Sequence, residues 1–111
     1  LRDAIKRVEQ KLATCPGAHN RLEVPIPDSH ACFEVEVSGK EACIFVAEYD
    51  DHSDEEFQLL SRRPLIDLPV GQRAKYATYL PELIDEAEKQ SVELEVGLED
   101  ALARIDEKLS E

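Results

Sequence analysis

Residues 33–47 read Phe-Glu-Val-Glu-Val-Ser-Gly-Lys-Glu-Ala-Cys-Ile-Phe-Val-Ala, and this stretch decides the fold. Phe33, Val35 and Val37 alternate with Glu34 and Glu36, the two-residue period of a strand with one dry and one wet face. Ser38-Gly39-Lys40 is turn material, and Cys43-Ile44-Phe45-Val46-Ala47 runs back as an almost unbroken apolar strand. The pair is predicted to be a β-hairpin at the centre of a sheet, with Ile44, Phe45 and Val46 among its most buried residues.

Working outward, Leu22, Val24 and Ile26 also alternate, but Pro25 and Pro27 confine that piece to an edge or a connection. On the other side, 57–60 and 65–68 are largely apolar and flank Arg62-Arg63-Pro64, which predicts a further strand interrupted at Pro64. Pro69 and Gly71 close a β-meander of three to four strands over 21–69. Before it, Leu1, Ala4, Ile5, Val8 and Leu12 recur at helical spacing, so 1–13 is expected to be a helix. Arg2, Lys6, Arg7 and Lys11 give it a basic outer side, and Thr14-Cys15-Pro16-Gly17 stops it.

After the meander, 72–110 reads as an acidic helical region. Gln72 to Leu80 forms a first segment, and Pro81 suits the first turn of a second. Ile84, Ala87, Ser91, Leu94, Leu98, Ala101 and Ile105 follow steps of three and four, an approximate heptad stripe. Within it Val92, Leu94 and Val96 alternate with Glu93 and Glu95, which is a strand pattern. The helical reading is preferred, and it leaves Val92 and Val96 off the stripe. The whole is expected to be one α+β domain: an N-terminal helix, a small antiparallel meander, and one or two C-terminal helices.

Length and composition bound the function. The chain has 111 residues, enough for one core, and 42% of them are apolar. It contains no Met, so it is expected to be a portion of a longer polypeptide. No run of about 20 apolar residues is present, which argues against a membrane span. Three cysteines, an odd number, do not make a closed disulfide framework, so a reducing cytoplasm is expected. Net charge is −12, most of it in the second half of the chain. A field of that sign disfavours direct binding to nucleic acid or anionic membrane and would steer a basic protein partner.

Candidate chemistry is sparse. Cys15, His19, His30 and Cys32 supply two thiolates and two imidazoles, a set that zinc accepts tetrahedrally. Each also has an ordinary role in a core or loop, and neither a bound metal nor a cofactor is expected. Asp50, Asp51, Asp54, Glu55 and Glu56 are hard oxygen ligands in one short stretch, but without the spacing or central glycine of an EF-hand loop. They read as an acidic hairpin tip. Cysteine and histidine types are present with no pattern that assembles a nucleophile and base, so no catalytic residue is assigned.

The C-terminal segment stands out. Residues 81–111 hold eleven acids and three bases around the apolar stripe. A continuous helix there would be roughly 45 Å long, more than a domain of this size can cover. Leu94, Leu98 and Ile105 are therefore expected to pack across a homodimer or another protein, with Glu93, Glu95, Glu99 and Asp100 beside that seam facing a basic partner. The size, acidity and α-β-β-β-α order resemble, in architecture alone, the class I chaperones of type III secretion; the two strands that family places between its last helices have only Val92–Val96 as a counterpart. The favoured reading is a non-enzymatic acidic interaction module: a small regulator, inhibitor or chaperone-like binding protein. A nucleic-acid mimic that blocks a DNA-binding protein is the alternative, and a small zinc protein or enzyme built on the Cys/His set is a third.

Overall fold

A computed structural model describes residues 1–50 and 58–111. Helix α1 spans Arg2–Ala13 and is followed by a 3-10 turn, Pro16–His19. Strands β1 (Glu23–Pro25), β2 (Ala31–Ser38), β3 (Glu41–Asp50) and β4 (Gln58–Pro64) form one antiparallel sheet in sequence order. A second 3-10 turn, Leu65–Asp67, leads to α2 (Val70–Ala77) and α3 (Leu80–Leu109). The molecule is thus an α+β domain with an N-terminal helix, a four-stranded meander and C-terminal helices.

The hairpin forms where the alternation places it. Ser38 pairs with Glu41 across Gly39-Lys40, and Gly39 has a φ of +62°. A two-residue hairpin loop needs that left-handed geometry at its first central position, and glycine adopts it without a Cβ penalty. On the inner face Phe33 pairs with Val46 and Val35 with Ile44, all buried. These four join Ile5 and Leu12 of α1, Leu65, and Leu83 of α3 in a single core.

Phe45 corrects the sequence reading. It pairs with Glu34 on the outer face and is only half-buried, because β3 keeps the two-residue alternation despite its apolar composition. The Arg62 guanidinium lies 3.8 Å from the Phe45 ring centroid and reaches Glu34 at 3.4 Å and Glu36 at 2.6 Å. That charged lid, not the core, covers the ring.

Strand β4 leaves the sheet early, since its last residue, Pro64, stands opposite Phe45. The neighbouring Ile44 N–H then donates to the Glu9 carboxylate of α1 at 2.7 Å. This bond ties α1 to the open side of β3. Burial raises the Glu9 pKa, although the Ile44 N–H pulls it the other way.

One region that the sequence left ambiguous is settled. Residues 92–96 are helical, so the two strands that would complete the likeness to the secretion chaperones are absent there. Of the acidic stretch, Asp50 ends β3, while Asp51, Asp54, Glu55 and Glu56 lie outside the described residues, as does Phe57. Among the described residues, no helix is long and apolar enough to cross a membrane.

Candidate interaction surface

Helix α3 has two halves with opposite fates. In the first, Leu80, Leu83 and Ala87 are buried, so Leu83 rather than Ile84 carries the core contact one turn after Leu80. The turn Pro16–His19 lies directly against this half. A Cβ on Gly17 would stand 2.7 Å from the Ser91 backbone nitrogen and 2.9 Å from Gln90 Cβ, so only glycine permits the approach. The Gly17 N–H donates to Ser91 Oγ at 2.9 Å, and that hydroxyl donates to the Ala87 carbonyl at 2.8 Å. Lys11 of α1 meets Glu88 at 3.4 Å, a half-exposed pair of small energetic weight.

Past Ser91 contact with the rest of the described chain thins to a hollow that Glu93 and Leu94 share with Asn20, and Leu94 is already 38% exposed. Every residue from Val92 to Glu111 is exposed, although α3 continues unbroken to Leu109. At 1.5 Å per residue the free arm is about 27 Å long. Leu98 is 64% exposed, Leu102 62%, Ile105 53% and Leu109 79%, whereas the mean core residue is close to fully covered. With 3.6 residues per turn, Leu94, Leu98, Leu102, Ile105 and Leu109 fall on the same helix face as Leu80, Ala87 and Ser91. The core-facing stripe therefore runs on, bare, beyond the core.

The structure places the sequence-predicted surface residues on this arm but not all on one side. Leu94, Leu98 and Ile105 share the stripe. Leu102 and Leu109 belong to it as well and are missed by a 3.5-residue repeat, which selects Ala101 instead; a 3.6-residue period finds them. Glu95 and Glu99 border one side of the stripe, joined there by Asp106. Glu93 and Asp100 lie around the back of the helix, near Val96. Arg104 and Lys108 border the other side, and Arg104 also reaches Asp100 at 3.3 Å.

The Cys/His set does not assemble. Cys15 Sγ lies 3.4 Å from the Lys11 carbonyl and His19 Nε2 2.9 Å from the Ala13 carbonyl, both local contacts at the end of α1. Among the described residues, no three His, Cys, Asp or Glu side chains converge where they could hold an ion. Burial, reinforced by Glu34, raises the Cys32 pKa. Burial and the adjacent Glu9 carboxylate push Cys43 up to about 11. Both thiols are thus held protonated at neutral pH, the opposite of an activated nucleophile. A shallow hollow of about 390 Å³ lies beside Cys32, walled by Pro25, His30 and Tyr49, with mostly apolar surface, and Tyr49 hydrogen-bonds the Cys32 thiol.

No protein-family model, curated protein or solved structure matches this chain.

Proposed function

We propose that this protein is a non-catalytic, acidic protein–protein interaction module whose binding element is the second half of α3. The observation that carries this is the apolar stripe that leaves the core at Ser91 and stays uncovered to Leu109. Contiguous exposed apolar surface of this kind marks sites of association. Covering it on a second copy makes the module a homodimer. The acids off the seam, Glu93 among them, remain available to a basic partner, whose hold would weaken as salt rises. The three free thiols suit a reducing, cytoplasmic setting.

Methyl NMR and hydrogen exchange across 92–109 test the reading under three conditions: dilute protein, concentrated protein, and dilute protein in an extract of its host. Amide protection and shifts at the Leu98 and Leu102 methyls should appear in at least one of the last two, and a Leu98→Glu variant should abolish them. An arm that is equally unprotected in all three overturns the proposal. The nucleic-acid mimic would need carboxylates arrayed as duplex phosphates, but the arm carries Arg104 and Lys108 and a central apolar stripe among them.

A further inference from the structure

The geometry points to a second copy of this chain as the occupant of the stripe, with the two α3 arms antiparallel and in one defined register. This inference rests on the interaction reading above and names its partner. Three observations carry it.

The first is that the stripe reads alike in both directions. Turning a second arm end over end brings Leu94 opposite Leu109 of the partner subunit, Leu98 opposite Ile105 of the partner subunit, and Ala101 opposite Leu102 of the partner subunit. Each large apolar residue meets another, except at the centre, where the small Ala101 leaves room for a leucine. Slipping the register by one residue in either direction turns part of each row off the seam.

The second is that a parallel pair is blocked. Leu80, Leu83, Ala87 and Ser91 use the same helix face for the chain's own core, with the Pro16–His19 turn seated against Ala87–Ser91. Two parallel helices would need that space for each other. In the antiparallel pair each globular part lies beyond the end of the other's helix, and Leu109 comes level with Leu94, just past the last core contact at Ser91.

The third is the match of extent. The overlap uses the whole bare stripe, from Leu94 to Leu109, and leaves none of its five large apolar residues exposed on either copy. Pairing arms of about 27 Å along their length gives each the cover that α3's first half already has from its own chain.

Charge supplies the signature. In an antiparallel two-fold pair each flank of a helix meets its own counterpart. Glu95, Glu99 and Asp106 therefore face the same three acids, while Arg104 and Lys108 are already paired within their own helix, with Asp100 at 3.3 Å and Glu111 at 3.0 Å, and offset little of that repulsion. This repulsion is screened by salt, so self-association strengthens as salt rises. A cationic partner seated on the arm would show the reverse.

Two measurements test the arrangement. In a background with Cys15, Cys32 and Cys43 replaced by Ala, Leu94→Cys and Leu109→Cys proteins are mixed under mild oxidation. The mixture should form covalent dimers faster than either alone, by on the order of tenfold or more. In the proposed register two Leu94 positions are about 22 Å apart, far beyond disulfide reach. Leu94→Cys alone cross-linking as fast as the mixture would overturn the antiparallel register. The second measurement needs no substitution: sedimentation of the native chain should show a dimer whose affinity rises several-fold from low to high salt. A monomer at every concentration and salt overturns the second copy as occupant, and if an extract still protects the arm in a salt-weakened way, the interaction reading survives with a cationic partner instead.

Discussion

Residues 80–91 and 92–109 belong to one unbroken helix and present one apolar face, yet the first half is sealed and the second is bare. The difference does not lie in hydrophobicity. Leu94, Leu98, Leu102 and Ile105 are as apolar as Leu80 and Leu83. It lies in what the rest of the chain can reach: α1 and the Pro16–His19 turn cover three turns of α3 and then end. An amphipathic pattern thus specifies a surface that wants cover, and only the extent of the remaining structure decides whether the same chain supplies it. A free arm of this length is also a marginal helix in water, since most helical stability in proteins comes from packing of the apolar face. Gly97 weakens it further, by about 1 kcal/mol relative to Ala.

The widest gap between the halves should appear on deleting one leucine from each. Leu83 is fully buried, so Leu83→Ala is expected to cost about 2–5 kcal/mol in chemical unfolding. Leu98→Ala, measured in dilute protein where the arm is unpaired, should stay within about 0.5 kcal/mol of the native chain. Equal losses at the two positions would mean that the arm folds back onto its own domain, and the contrast would collapse.

Next in size is the contact that seals the first half. Gly17→Ala inserts a methyl into the backbone of α3 at Ser91, and either the turn or the helix must move. Overpacking of this kind costs about 1–3 kcal/mol. The change should also raise hydrogen exchange at 87–91 while leaving the β2–β3 hairpin protected. A neutral Gly17→Ala protein would show that the turn is not what closes this half.

How much of this was legible in the sequence follows the same division. Periodicity located α1, the hairpin and the helical C-terminal region, because each has a one-sided pattern that only one secondary structure satisfies. It misjudged Phe45, since an unbroken apolar run hides which residues face out, and the Arg62 stacking that shelters the ring depends on a strand seventeen positions away. It chose Ile84 and Ala101 and passed over Leu83 and Leu102, because Leu83 and Ala101 lie on one edge of the stripe, Ile84 and Leu102 on the other, and steps of three and four take only one of each adjacent pair. The meeting of Gly17 with Ser91 had no sequence signal at all: a glycine after a proline reads as a helix stop, and nothing local tells that a second helix passes within a Cβ of it.

The smallest effect expected is at Ser91, where the two halves meet. Its hydroxyl accepts from the Gly17 N–H and donates to the Ala87 carbonyl, so among the described residues it is the last side chain of α3 hydrogen-bonded to the body of the domain. Ser91→Ala removes the acceptor from a part-buried N–H, and a net loss of about 1 kcal/mol in global stability is expected. Alanine is at the same time the better helix former, which offsets a few tenths of a kcal/mol of that loss. The more telling readout is local. With the tie removed, fraying that begins in the arm should travel one turn further into the helix, so amides at 88–91 lose protection while those at 81–84 keep it. If the boundary of protection stays at 91 in the variant, packing of Leu83 and Ala87 alone holds the first half, and the hydroxyl marks where the covered stripe stops without setting it.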